Sequence, residues 1–211
     1  METLPLTDSE RSRVLVLMRQ QTDRMQNLVS DLLALAQIEA APRPLAADWM
    51  PMSRLSQRLL ADVSALDKGQ HEISLASGAD IEINGIETEL FSALWNLVSN
   101  AVRYTPQGGR IELAWGLEPG GDASFRVSDN GPGIAKEHIP RLTERFYRVD
   151  TSRSRDTGGT GLGLAIVKHV VQRHGGELRI ASEPGAGACF QINLPSHRVR
   201  LTDDAQMVRA A

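Results

Sequence analysis

The sequence predicts an α+β sandwich, in which helices cover one face of a mixed sheet, preceded by a long separate helix. Two observations support this fold class. Amphipathic helical segments alternate with short strands, and most of the strands are joined by Gly- or Pro-containing turns typical of hairpins. Ahead of them lies a stretch of about 33 residues without Gly or Pro, which is too long for a helix in a globular core.

The overall composition is that of a folded globular chain. The 211 residues include 23 basic and 26 acidic side chains, and 41% are hydrophobic. A net charge of −3 gives no attraction to nucleic acid, and no apolar run reaches the roughly 20 residues that insertion into a membrane requires. A single cysteine, Cys189, excludes an internal disulfide and favours a reducing, cytoplasmic location.

The first helix is predicted to begin at Thr7, which forms a capping box with Glu10. Its apolar residues repeat at spacings of 7, 3, 4 and 3, so they share one seam: Met18, Met25, Leu28, Leu32 and Leu35. We favour a helical arm that packs on another helix over a satellite helix on the main core. Pro42 and Pro44 end the helix.

The rest of the chain contains three further helical patterns and six strand patterns. The predicted helices cover 52–66, 88–104 and 162–174, and the predicted strands cover 71–76, 81–84, 111–117, 124–128, 177–182 and 188–194. Residues 198–211 show no periodicity. We therefore divide the chain into a first helix (1–41), a linker (42–51), a main domain (52–197) and a flexible tail (198–211).

Polar side chains interrupt the apolar helix 88–104. Asn96 and Asn100 lie four residues apart, and Arg103 and Tyr104 follow one turn later. An Asn oxygen is a suitable ligand for Mg²⁺, and an arginine can neutralise phosphate. Alternatively, the two asparagines are solvated or hydrogen-bond to loops.

Two glycine-rich segments flank a basic stretch. Asp129 ends a predicted strand and is followed by the turn 130–133, while 158–163 opens directly onto a predicted helix. Glycines at a helix N-terminus expose amides to phosphate. The segment between them has little periodicity, which is consistent with a mobile lid, and it carries four arginines: Arg145, Arg148, Arg153 and Arg155.

Five short motifs together resemble the catalytic ATP-binding domain of sensor histidine kinases, a superfamily that includes gyrase, Hsp90 and MutL. They lie, in order, at 96–101, 129–133, 145–148, 159–164 and 185–187. Residues 24–39 resemble the second helix of the family's dimerisation and phosphotransfer domain. Residues 139–150 are most similar to the phosphate-regulon branch of the family.

The resemblance implies a site for ATP and Mg²⁺. Asp129 would accept a hydrogen bond from the adenine amine, which guanine lacks at that position. Asn100 would bind Mg²⁺ with Asn96 nearby, and Tyr104 would pack near the nucleotide. The remaining implied roles fall into three groups: phosphate contacts by Arg103 and Arg148, close backbone approach to the base at Gly131 and Gly133, and the lid with its helix end at Gly159, Thr160, Gly161, Leu162 and Gly163.

Asn96 also bears on the reaction. ATPases of the superfamily have a glutamate at the position of Asn96, and an amide cannot act as a general base. We therefore expect phosphoryl transfer to a histidine rather than rapid hydrolysis, with Asn96, Arg103 and Arg148 as the catalytic residues.

The family's phosphoacceptor motif is absent from this sequence. Among the five histidines only His71 precedes an acidic residue, and the alternating pattern after it favours an ordinary strand-edge histidine. We expect Mg·ATP binding without autophosphorylation, with an acceptor-histidine helix and a response regulator as partners. A nucleotide-dependent binding module and an anti-sigma-type serine kinase are the alternatives, and a Hsp90-like or MutL-like ATPase is the least favoured.

Overall fold

The first helix, α1 (Asp8–Ala40), forms as the sequence predicts. The computed structural model describes residues 7–40, 48–76, 78, 80–149 and 159–202. The Thr7 amide donates to the Glu10 carboxylate at 2.8 Å, and the Glu10 amide donates to the Thr7 hydroxyl at 3.3 Å. These reciprocal hydrogen bonds satisfy two amides that have no partner within the helix, which explains why α1 begins here.

The main domain has three helices and eight strands among the described residues. The helices are α2 (Met52–Asp67), α3 (Glu87–Tyr104) and α4 (Gly163–Arg173), each close to its predicted bounds. The strands are β1 (Asp48–Pro51), β2 (Glu72–Ala76), β3 (Ile81–Gly85), β4 (Arg110–Leu117), β5 (Ala123–Asp129), β6 (Glu177–Ser182), β7 (Ala188–Leu194) and β8 (Val199–Leu201). Short 3₁₀ turns cover Ile139–Arg141 and Ser196–Arg198.

A five-stranded sheet forms the centre of the domain, in the order β2-β4-β5-β7-β6. It is mixed because β2 pairs with β4 in parallel, whereas its other pairs are antiparallel. Alternate residues of β4 and β7 are buried, so one face of the sheet lies against the helices. The predicted α+β sandwich, with helices on one face of a mixed sheet, is confirmed.

The core lies between this face and the helices. The helices contribute side chains that are completely buried, including Leu59 of α2, Leu97 of α3 and Val167 of α4. Ile111 of β4 and Val127 of β5 meet them from the sheet and are equally buried. This packing holds the C-terminal half of α3 and the start of α4 in fixed positions over the sheet.

The prediction of a single sheet was incomplete. A second sheet of three antiparallel strands has the order β1-β3-β8. Two of its strands lie in segments predicted to be irregular: β1 in the linker 42–51, and β8 in the tail 198–211. Both strands are too short to show periodicity. They form because β3 offers hydrogen-bonding partners to β1 along one edge and to β8 along the other. Residues 41–47, with Pro42 and Pro44, and residues 203–211 lie outside the described residues.

The C-terminal part of α1 packs on the main domain near α4. Leu35 is 2% exposed, and Arg173 donates to the Ile38 carbonyl at 3.2 Å. Glu39 forms an ion pair with Arg145. Farther toward the N-terminus the seam faces solvent, since Met25 is 66% exposed. Packing of that part on another helix stays a prediction.

Candidate functional site

A carboxylate lies at the end of the central strand β5. Asp129 pairs in register with Ile111 of β4 on one side and with Ala188 of β7 on the other. One oxygen of Asp129, Oδ1, accepts a hydrogen bond from the Gly131 amide at 2.9 Å. Burial raises the pKa of Asp129, and this effect exceeds the opposing one of hydrogen bonds from the Gly131 and Ala188 amides. The group is therefore a half-buried hydrogen-bond acceptor at the end of the strand.

Gly131 brings this carboxylate against the end of α3. A Cβ at this position would lie 2.8 Å from Asp129 Oδ1 and 3.2 Å from the Tyr104 carbonyl oxygen. Both distances are shorter than ordinary van der Waals contacts, so no side chain fits here without displacing a neighbour. The Tyr104 side chain is half exposed beside the turn.

A second cluster joins the middle of α3 to the N-terminus of α4. A Cβ at Gly163 would lie 2.5 Å from Asn96 Oδ1, so the absence of a side chain lets the Asn96 amide approach the first turn of α4. The Asn96 amide nitrogen donates to the Ser92 carbonyl at 2.9 Å, which directs its oxygen toward Gly163. Leu162 precedes α4 and is completely buried, so the helix end is anchored in the core.

Two arginines meet at Gly159. A Cβ there would lie 3.0 Å from Arg103 Nη1 and 3.7 Å from Arg148 Nη2. Arg148 also donates to the Gly159 carbonyl at 2.5 Å. Two guanidinium groups beside the glycine turn that precedes the N-terminus of α4 make a region suited to phosphate oxygens.

The turn 159–162 is held from two directions. Gly161 has a φ of +74°, and a Cβ there would lie 2.9 Å from the Phe146 backbone, so only glycine fits. Phe146 donates its amide to the Gly161 carbonyl at 2.9 Å. The Thr160 hydroxyl donates to Asp31 of α1 at 2.6 Å and accepts from the Leu162 amide at 3.3 Å.

Most of the residues assigned to the site from the sequence fall in two clusters. One surrounds Asp129 and Gly131, and the other surrounds Gly159 and Gly163. Asn100 is half-buried on α3, one turn after Asn96. Gly133 lies elsewhere, against the turn that follows β6. A Cβ added to it would lie 1.9 Å from the Glu183 carbonyl oxygen, and its φ is +70°. Its approach to the base stays a prediction. Arg153, Arg155 and Gly158 lie outside the described residues.

Sequence reasoning missed Asp31 and Asn130. Asn130 Oδ1 accepts from the Arg110 amide at 2.7 Å and joins the Asp129 turn to the start of β4. Its place directly after Asp129 is a signal that could have found it. Asp31 carried no comparable signal, because it lies 129 residues before the threonine that it contacts.

The donor set also bears on the predicted metal. Among the described residues, no group of three His, Cys, Asp or Glu side chains is arranged to hold a metal ion. A neutral Asn oxygen beside a region suited to phosphate matches Mg²⁺, which is commonly held by few protein ligands together with substrate phosphates. The residues therefore fit Mg²⁺ bound as a nucleotide complex.

Comparison with known proteins identifies the family. Residues 85–198 match the histidine kinase-, DNA gyrase B- and HSP90-like ATPases, and the chain belongs to this family. It is 49% identical over 188 residues to the phosphate regulon sensor protein PhoR of Pseudomonas aeruginosa, covering 89% of this chain and 42% of the relative. It is 38% identical over 178 residues to the sensor-like histidine kinase SenX3 of Mycolicibacterium smegmatis, covering 84% and 46%. The chain thus spans less than half the length of these relatives.

Solved structures agree with this assignment. Full-length ShkA in complex with AMPPNP superposes with a TM-score of 0.73 at 31% identity, covering 91% of this chain and 40% of that one. The mycobacterial sensor histidine kinase MprB superposes with a TM-score of 0.63 at 30% identity, covering 71% and 97%. The chain therefore has the fold of the ATP-binding catalytic domain of sensor histidine kinases, and the resemblance to that family is confirmed. In the described part of the chain, no helix combines the length and apolar character needed to cross a bilayer.

Proposed function

We propose that this chain is the catalytic part of a two-component sensor histidine kinase of the phosphate-regulon type. It binds Mg·ATP and transfers the γ-phosphoryl group to a histidine on an acceptor helix, from which a response regulator receives it. The acceptor belongs to another segment of the same kinase or to a dimer partner. The site acts in the cytoplasm, on the inner side of the membrane that carries the sensor.

One observation carries this proposal: α3 connects the two clusters of the site. Its C-terminal end lies against Gly131 beside Asp129. Arg103, in the last turn of α3, extends to Gly159, and Asn96, about two turns earlier, meets Gly163. A nucleotide whose base contacts Asp129 can therefore extend its phosphates along α3 toward the N-terminus of α4. A half-buried acceptor at one end and cationic donors at the other match the polarity of ATP.

Each residue has a distinct proposed role. Asp129 accepts from the exocyclic amine of adenine, and Tyr104 packs near the nucleotide. Arg103 and Arg148 neutralise phosphate oxygens, and Asn100 holds Mg²⁺, which supplies charge stabilisation when bound. Positioning and charge neutralisation account for most of the catalysis in phosphoryl transfer.

Asn96 separates this reaction from hydrolysis. A carboxamide does not accept a proton from water near neutral pH, so no general base is available at this position. Its amide is instead fixed by Ser92 and faces Gly163. We therefore expect slow hydrolysis of ATP, with the γ-phosphoryl group retained for the acceptor histidine.

The proposed domain division follows the same reasoning, with two boundaries moved. The segment 1–41, which contains α1 (Asp8–Ala40), contributes the second helix of a dimerisation and phosphotransfer domain. The catalytic domain extends from 48 to 202, because β1 and β8 complete its second sheet. The linker is reduced to 42–47 and the tail to 203–211.

The test combines binding with transfer. Calorimetry should detect Mg·ATP binding, and Asp129→Asn, which keeps the size of the side chain, should weaken it at least about tenfold, since a hydrogen bond to a charged group contributes about 1.5–3 kcal/mol. With γ-labelled ATP, label should appear on a separately supplied acceptor domain of a phosphate-regulon kinase.

Each outcome has a distinct meaning. Absence of binding, or unchanged binding by Asp129→Asn, contradicts the site. Binding without transfer to any acceptor domain favours a nucleotide-dependent binding module, and transfer to a serine substrate favours the anti-sigma type of kinase. Acid-labile label on this chain alone contradicts the expectation that it lacks its own acceptor.

A further inference from the structure

A histidine outside the nucleotide site contacts the end of α3. His71 lies just before β2, and its side chain is 4% exposed. One ring nitrogen, Nδ1, contacts the Asp67 carboxylate at the end of α2, and the other, Nε2, lies 3.0 Å from the Thr105 carbonyl oxygen. The sequence favoured an ordinary strand-edge histidine, but the ring is buried between two turns.

The contacts determine the protonation of the ring. A carboxylate and a carbonyl both accept hydrogen bonds, so both ring nitrogens must carry a proton to satisfy them. Asp67 is 3% exposed, and its second oxygen accepts from the His71 backbone amide at 3.1 Å, which fixes its orientation. Burial by itself raises the pKa of Asp67, but hydrogen bonds from His71 outweigh it and lower that pKa, so Asp67 is ionised and the geometry favours a positively charged imidazolium beside it.

The charge distribution around the ring agrees with this assignment. Burial by itself lowers the pKa of His71, but hydrogen bonds to Asp67 and Thr105 and the negative charge of Asp67 outweigh it, so the pKa is raised. Among the described residues, Asp67 is the charged group in contact with the ring. Glu72 and Arg110, next along the adjoining strands, pair with each other at 3.2 Å at the surface.

The Thr105 carbonyl belongs to the same turn that supports the nucleotide site. Thr105 ends α3 directly after Tyr104. A Cβ at Gly131 would lie 3.5 Å from Thr105 Cα, and one at Gly109 would lie 2.3 Å from the Thr105 methyl group and 2.9 Å from Asn130 Oδ1. The turns 105–109 and 129–131 are therefore packed against each other, and the Gly131 amide beside Thr105 donates to Asp129 Oδ1.

From these contacts we infer that His71 is a positioning residue, which in its charged form holds the C-terminal end of α3 against the nucleotide site and weakens nucleotide binding when it loses its proton. A neutral ring has one N–H and cannot donate to both Asp67 and Thr105. The unprotonated nitrogen then faces an oxygen lone pair, and the turn 105–109 moves. This inference rests on the proposed binding of ATP.

The test compares pH profiles of Mg·ATP affinity, measured by calorimetry on the full chain. From about pH 6 to about pH 8.5, the unaltered chain should lose about three- to tenfold more affinity than His71→Gln, which should already bind weakly at the lower pH. Subtracting the variant's profile removes the titration of the phosphates themselves. His197→Gln, which changes an exposed histidine of the 196–198 turn, is the matched control and should follow the unaltered chain.

Asp67→Asn separates positioning from simple support of the fold. This change keeps the shape but removes the charge that stabilises the imidazolium, so the fall in affinity should move to lower pH. A merely structural role would lower affinity at all pH values without moving the midpoint. Nitrogen NMR of the His71 ring, without nucleotide, should show both nitrogens protonated at neutral pH.

The failures are distinguishable. A neutral His71 ring at pH 7, or parallel affinity profiles for the unaltered chain and His71→Gln, overturns the positioning role and leaves the proposed function intact. Absence of Mg·ATP binding by the unaltered chain at every pH overturns the proposed function, and this inference with it.

Discussion

Replacing Gly131 with alanine should weaken Mg·ATP binding while leaving the fold in place. The new Cβ would lie 2.8 Å from Asp129 Oδ1 and 3.2 Å from the Tyr104 carbonyl oxygen. The carbonyl belongs to the packed end of α3, so the carboxylate is the group free to turn. Gly131 is not in the left-handed region, so alanine introduces no backbone strain of that kind.

The magnitude follows from the two short contacts. Adding a methyl group to a site without room costs about 1–3 kcal/mol. If that cost falls on the orientation of Asp129 that binds the base, affinity decreases about 5- to 150-fold. The free energy of unfolding should change less than the binding energy, since the carboxylate can turn toward solvent in the absence of nucleotide.

Gly120→Ala is the control for this experiment. Gly120 lies in the hairpin turn between β4 and β5, at the end of β5 opposite to Asp129, and a Cβ there has no neighbour within 4 Å. Calorimetry with Mg·ATP measures both variants, and thermal unfolding verifies that both are folded. An affinity of Gly131→Ala within about twofold of Gly120→Ala would refute the assignment of this turn to the nucleotide site.

Three further predictions concern stability. His174 is completely buried and neutral, because Nε2 accepts from the Ile86 amide at 3.2 Å while Nδ1 lies 2.8 Å from the Val170 carbonyl oxygen. Burial lowers the pKa of His174, so the folded chain binds fewer protons than the unfolded chain. Urea unfolding should therefore show the free energy of unfolding falling as the pH drops below about 6.5, and His174→Gln should reduce this trend. Glu89→Gln weakens the ion pair with Arg173 (3.4 Å) and should lower the free energy of unfolding by about 1–3 kcal/mol; no change in urea unfolding would contradict this. Leu97→Ala should cost about 2–5 kcal/mol by the same measurement, against a small effect of Leu66→Ala at the surface.

Local sequence patterns predict most of the individual elements. The capping box at Thr7 and the lack of Gly and Pro determine where α1 begins and how far it extends. The alternation in β6 and β7, with a glycine-containing turn between them, predicts a hairpin whose observed bounds are the predicted ones. These features depend on neighbours within a few residues, so they can be predicted without knowledge of the rest of the chain.

The nucleotide motifs are predictable for a related reason. Asp129 with its glycine turn and the glycines before α4 are short segments whose backbone conformation requires particular residue types. Their order along the chain indicates the family, and comparison with known proteins confirms it. The motifs do not reveal how far apart the segments lie in space, which depends on how α3 and α4 pack.

The sequence by itself therefore determined the helices, most strands, the family and the residue types of the site. Only the tertiary structure decided the second sheet, where β8 pairs with β3 more than a hundred positions earlier in the chain. It also decided that Asp31 meets Thr160 and that His71 lies against Thr105. Such pairs leave no periodic or local pattern, because they arise when separate elements close around a common core.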